Sequence, residues 1–325
     1  MSLLSPRWHG APGRLEVVYA TVSDPGRGLG LWVHHELLSP LEGEAVSHGW
    51  VALFRPPTPP VLERFGPQPA PVSTAPRHGG DGDENGSATA GGWPAAGDAV
   101  LEPPAMRGKA GALSWDLSWD EPDAAPLFTF PSWAWEREVL PGAQIVPVPT
   151  AVFSGTVAVE GTAVALSPEA RGGVAHIYGH GNAERWGWLH AELGDGDVLE
   201  VVAATSRRPG LDRLPPMPFV QVRLAAKDWP RDPLAAAPLL RARLGLPHWS
   251  VRGTVGRWRL RVEVDIPADQ AVTLDYRDPD GAGATCTNSE VADADVVLEH
   301  RRSRWETEAT WRLRGTAHAE IGSRP

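Results

Sequence analysis

Apolar positions in this chain come in short runs with an internal period of two. LEVVYATV (15–22), HGWVALF (48–54), VLEVVAA (198–204) and FVQVRL (219–224) are rich in Val, Leu, Thr and aromatic residues and are bounded by Gly, Pro or Asp. That is the pattern of half-buried or fully buried strands separated by turns. Several neighbours read as hairpins. Glu160-Gly161 divides VAVEGTAVAL, and Gly194-Asp195-Gly196-Asp197 divides two further runs, with residues that tolerate the positive φ of a tight turn. Helical periodicity is scarce. DPLAAAPLLRARLGL (232–246) is the best candidate, and Pro238 restricts it to one or two short turns.

Strands alternating strictly with turns predict an all-β protein, an antiparallel sandwich or barrel. At 325 residues one small barrel is too little, and two packed barrel-like halves fit. The boundary is expected near 145–170, where IVPVPTAVFSGTV opens a new series of hairpins. This gives an N-terminal half over 1–150 and a C-terminal half over 151–325. Residues 67–98 are small, polar and rich in Pro and Gly. They carry too little apolar surface to offset their ordering entropy, so this stretch is expected to be a mobile insertion in a loop.

The stretch AHIYGHGNAERWGWLHAEL (175–193) concentrates histidines and aromatics. His176 and His180 stand four apart, a zinc spacing on a helix, but Gly179 and Gly181 argue for a strand. Four strand positions span roughly 13 Å, too far for two nitrogens to share a metal. No metal is therefore expected. Alternation puts His176, Tyr178 and His180 on one face, then Trp186, Trp188, His190 and Glu192 on one face after a turn that includes Asn182. Broad apolar rings with a few polar groups suit a pocket wall. The alternative is that the same side chains fill a barrel. Trp32, His34 and Glu36 share another strand face, with His35 opposite, and Trp133 and Trp135 are candidates for the same pocket. His190 with Glu192, or His34 with Glu36, are the candidate acid–base groups.

Composition narrows the classes. Trp numbers 15 against 6 Phe and 3 Tyr, which favours either Trp-rich core strands or a cavity for a large apolar ligand. A net charge of −10 disfavours nucleic acid and anionic membranes as partners. The single cysteine, Cys286, excludes an intrachain disulfide and reads as a small buried hydrophobe. The opening MSLLSPRWHG lacks a signal-peptide pattern and no apolar run is long enough to span a bilayer, so a cytoplasmic protein without a transmembrane segment is expected. No phosphate loop, dinucleotide fingerprint or Gly-x-Ser-x-Gly elbow is present, and no cofactor is expected.

Taken together, GLGLWVHHELL, FPSWAWEREVLPGAQ, FSGTVAVEG, HIYGHGNAERWGWLHAEL, DYRDPDGAGATCTNSEVADADVVLE and GTAHAEIGSR resemble the tandem lipocalin-like group of hydroxyneurosporene synthase (carotenoid 1,2-hydratase)-like and tocopherol cyclase-like proteins. The resemblance implies two packed lipocalin-like (calycin) barrels. It also implies a pocket for a large apolar molecule, isoprenoid- or polyketide-like, and hydration or cyclisation without a redox cofactor. Hydratase or cyclase on one side, and a non-catalytic carrier of a hydrophobic metabolite on the other, both remain open at this point.

Overall fold

The computed structural model describes residues 2–71, 92–120, 124–137 and 140–325. Most of the insertion expected at 67–98 lies outside them. Its described flanks are anchored, since Trp93 is buried and its indole N–H donates to the Leu4 carbonyl at 2.8 Å.

The first part of the chain forms β1 (Arg14–Asp24), β2 (Leu29–Ser39), β3 (Val46–Arg55), β4 (Thr58–Pro69), β5 (Val100–Glu102), β6 (Ala105–Ala110), β7 (Leu113–Trp119), β8 (Leu127–Phe128), the helix α1 (Ser132–Arg137), β9 (Gly142–Val159), β10 (Thr162–Ala165) and β11 (Arg171–Gly179). The second part forms β12 (Arg185–Gly194), β13 (Asp197–Thr205), β14 (Met217–Leu224), β15 (Lys227–Trp229), the helix α2 (Pro233–Ala236), β16 (Leu240–Arg243), β17 (His248–Val255), β18 (Trp258–Asp265), β19 (Val272–Arg277), β20 (Gly283–Arg301) and β21 (Trp305–Ser323). Two antiparallel sheets result, running β4-β3-β2-β1-β11-β9-β7-β6-β5 and β15-β14-β13-β12-β21-β20-β18-β17-β16. Each begins as a four-strand meander whose first strand pairs with the last long strand of its half. Each sheet curls on itself. In the first, Glu63 of β4 accepts from the Ala112 N–H, beside β7, at 3.0 Å.

The sheets face each other, which is why so many strands are buried on both sides. Along β1, Val18, Ala20 and Val22 point into the first curl while Leu15, Val17 and Tyr19 point toward the second sheet. Along β12, Leu189, Ala191 and Leu193 fill the second curl while Trp186 and Trp188 point back toward the first sheet. Outer strands keep the alternation of a half-solvated sheet. Leu113, Trp115, Leu117 and Trp119 of β7 are inside, with Asp116 and Ser118 exposed.

Two details differ from the sequence pattern, and a third follows it. The chain passes from one sheet to the other between Gly179 and Arg185, so residue 150 falls inside β9 of the first sheet rather than at a boundary. The hairpins that begin near 150 complete the first sheet instead of starting the second. PSWAWERE is helical over Ser132–Arg137, which turns Trp133 and Trp135, two positions apart, to different sides, one exposed and one buried. At 232–246 the helix stops after α2 and a 3₁₀ turn containing Pro238, as the proline dictates. Among the described residues no helix is long and apolar enough to cross a membrane.

The interior assignment makes a direct prediction. Leu31 is fully buried in the first curl, whereas Leu41 is 61% exposed. Leu31→Ala should lose about 2–5 kcal/mol of stability in urea denaturation, and Leu41→Ala less than about 0.5 kcal/mol.

Candidate functional site

Between the two sheets lies a cavity of about 60 Å³. One wall comes from the outward faces of β1 and β2, which contribute Tyr19, Trp32, His34 and Glu36. The other comes from β12, β19 and β21, which contribute Trp186, Trp188, Tyr276 and Glu320. The rings meet across the gap. Tyr19 stands edge-on to Trp188 at 5.3 Å, and His34 lies 5.7 Å from Tyr276. Tyr276 also borders a wider groove of about 540 Å³, whose walls include His48, Trp50 and Arg64. Trp50 is edge-on to Tyr276 at 5.2 Å, so these two rings stand where groove and inner cavity meet. The site is thus set between the halves, not inside either curl.

Its two carboxyl groups are driven in opposite directions. Burial works to raise Glu36, but His48 and His34, at 3.3 and 3.2 Å, reverse this and hold it at about 2. Burial raises Glu320 to about 7, and the negative charge of Glu290 adds to this. The Trp186 indole N–H donates to Glu320 at 2.7 Å, and Cys286 and Asn288 also bond to it, without cancelling the effect of burial. Burial likewise raises the Tyr19 and Tyr276 phenols, which stay protonated. The cavity therefore holds a fixed anion on one wall and a carboxyl that is substantially protonated near neutral pH on the other.

A family model described as tocopherol cyclase-like matches residues 111–323. The chain is also 50% identical over 321 residues to the uncharacterized protein Rv0493c of Mycobacterium tuberculosis (strain ATCC 25618 / H37Rv), covering 98% of this chain and 89% of that protein. The chain belongs to the tocopherol cyclase-like family. Two solved structures share the fold of this tocopherol cyclase-like protein. CghA with Sch210972 aligns at a TM-score of 0.60 and 13% identity, covering 96% of this chain and 88% of that one. Kievitone hydratase from Nectria haematococca aligns at 0.56 and 11% identity, covering 99% and 92%. The all-β, lipocalin-like architecture expected from the sequence is the observed one.

Of the residues singled out by sequence, the cavity gathers Trp32, His34, Glu36, Asn182, Trp186 and Trp188. Asn182 is held by its backbone N–H and its side-chain amide, both donating to Asp278 at 2.9 and 2.8 Å. The rest lie elsewhere. His190 bonds through Nδ1 to Glu200 at 2.9 Å and sits against Gly173 rather than in the cavity lining. Glu192, further along the same face, is raised to about 7 by burial, opposed by His190 and Arg171, and also lies outside the lining. His176 and Tyr178 occupy the opposite face of β11 from the one that meets the second sheet, His180 follows the end of that strand and borders Arg207, Pro279 and Asp280, and it is Ile177 that lines the cavity. His176 bonds to Glu16 at 2.8 Å and to the Leu3 carbonyl at 2.7 Å, while His180 Nδ1 lies 3.0 Å from the Gly13 carbonyl. Trp133 is 47% exposed, and Trp135 packs on His176 at 5.0 Å beneath Arg7.

Tyr19, Gln144, Tyr276 and Glu320 were not selected from the sequence. Tyr19 and Tyr276 sit in ordinary strand runs. Glu320 lies in GTAHAEIGSR, where it alternates with His318. The usable signal was an acid near the end of the final strand, in the stretch AHAEIG where its neighbours are small or apolar apart from His318. Its importance depends on Trp188 and Asn288, which pair with it from the two neighbouring strands.

The raised Glu320 carries a stability cost with a definite sign. The unfolded chain ionises near the ordinary value of 4.5 and the folded one near 7, so stability is complete below about 4.5 and declines as pH rises toward 7. Glu320→Gln should match the parent protein at pH 4 and exceed it by about 1–3 kcal/mol at pH 8 in urea denaturation.

Proposed function

We propose that this protein binds a large apolar molecule, isoprenoid- or polyketide-like, in the cleft between its two halves, and catalyses its hydration or cyclisation with Glu320 as the acid. The observation that carries this reading is the carboxyl raised to about 7 inside an aromatic-walled cavity. A group poised near the operating pH is the best proton donor at that pH. The inner cavity takes the reacting end of the molecule, and the wider groove beyond Trp50 and Tyr276 takes the remainder. Glu320 protonates a carbon–carbon double bond. The faces of Trp32, Trp186 and Trp188 and the fixed charge of Glu36 stabilise the cation that develops. Water, or a second double bond or hydroxyl of the same molecule, then adds to the cation and a proton returns to Glu320. No redox step or cofactor is required. The family's name as cyclase-like and the hydratase among the structures of the same fold support this class of reaction.

The test starts from whatever apolar molecule co-purifies, identified by native mass spectrometry and used as substrate. Glu320→Gln should lower kcat by about 10²–10⁴-fold with a smaller effect on KM. Activity of the parent protein should be full below about pH 7 and fall as pH rises through it, because the acid must be protonated. Unchanged turnover in Glu320→Gln would overturn the assignment. Tight binding with no turnover in the parent would leave the protein a carrier.

A further inference from the structure

The cavity has a second polar group whose orientation is dictated from outside it. Gln144, at the start of β9, lines the cavity from the first sheet, and its backbone carbonyl is fixed by the Thr129 hydroxyl at 2.8 Å. Its amide nitrogen donates to Glu200 Oε1 at 2.6 Å. Glu200 belongs to β13 of the second sheet, is fully buried and does not itself line the cavity. The same Oε1 takes the Trp188 indole N–H at 2.7 Å, and Oε2 lies 2.9 Å from His190 Nδ1.

An indole N–H can only donate, so Oε1 is an acceptor whatever the state of the proton between Oε2 and His190. A side-chain amide facing such an oxygen must present its NH₂ and turn its carbonyl the other way. Among the described residues no donor meets Gln144 Oε1, and the residue faces the cavity. We propose that Gln144 is a specificity-determining residue that accepts a hydrogen bond from a hydroxyl or other O–H or N–H donor on the apolar ligand, and that Glu200 is the positioning residue that fixes it in this sense.

This rests on the cleft reading given above and adds a chemical requirement to it. An amide carbonyl at the wall of this ring-lined cavity is costly to leave unpaired once a ligand has displaced water from it, so a ligand with a donor at that point gains, and one offering only an acceptor is penalised. Glu200 also ties Trp188, a wall of the second sheet, to Gln144, a wall of the first, so the acceptor is registered against the ring surface.

The experiment compares 1-naphthol with 1-methoxynaphthalene by isothermal titration calorimetry at pH 6. The two share a ring system, but only the first donates. The parent protein should bind the naphthol about tenfold more tightly, the equivalent of one hydrogen bond. Gln144→Met, of similar length and without an acceptor, should reduce this ratio to about one while the ether's affinity is kept. Glu200→Leu, which removes the acceptor that Gln144 faces, should also lower the ratio, because nothing then dictates which way the Gln144 amide turns. Should Glu200→Leu fail to fold, Gln144→Met alone decides for the acceptor. A parent protein without preference, a ratio unchanged in Gln144→Met, or a ratio lost only in Glu320→Gln would each overturn the proposal. Binding of neither naphthalene by the parent would overturn the cleft reading itself, and this proposal with it.

Discussion

Carboxylates buried at the seam between two sheets are the constraint on which the rest of this structure depends. Two curled sheets that packed through purely apolar faces would need only shape. Here Glu36, Glu200 and Glu290 are all removed from water at or beside the seam. A buried charge without donors is strongly destabilising, so each must be matched. Glu36 is matched by His34 and His48, Glu200 by His190, Trp188 and Gln144, and Glu290 by His318 at 2.6 Å with Asn288 and the Thr21 hydroxyl. Gln144 and Thr21 belong to the first sheet while Glu200 and Glu290 belong to the second, so these bonds fix how the halves are set against each other.

Matching carboxylates in this way requires close approach, and glycine provides it at two points. A Cβ on Gly30 would come within 2.5 Å of the Glu290 carbonyl oxygen, so β2 can lie against β20 only with hydrogen at that position. A Cβ on Gly322 would come within 2.0 Å of the Trp186 ring, which occupies that space and thereby reaches Glu320 with its N–H. Neither glycine is at positive φ. Their role is clearance, not conformational freedom.

The same seam separates a matched acid from an under-matched one. Glu36 has two imidazoles and remains an anion. Glu320 has an indole N–H, a thiol and an amide, none of them cationic, and takes up a proton. Two carboxyl groups of identical chemistry are thus given different charge states by what surrounds them, which is the arrangement acid–base chemistry on an uncharged molecule needs. A sulfur atom contributes too. Cys286 is fully buried, its thiol raised by burial and by Glu320, and it serves as a donor rather than as a nucleophile.

Period-two alternation determined, from the sequence alone, that this is an all-β protein and that Trp32, His34 and Glu36, and likewise Trp186 and Trp188, share faces. Strand geometry makes such statements local, because each side chain's face follows from its neighbours two positions away. Alternation does not say which face meets what. On β11 the histidine-bearing face looked the more functional, yet it is Ile177 that reaches the cavity and His176 that answers Glu16 from the other side. Nor does it say where one sheet ends, since β9 and β11 complete the first sheet by pairing with strands far earlier in the chain. Gln144, Tyr276 and Glu320 come together from β9, β19 and β21, and only the packing of one curled sheet on the other decided that they share a cavity. The charge of Glu320 was decided there as well, because a carboxyl's proton depends on the water and the cations that the tertiary structure leaves around it.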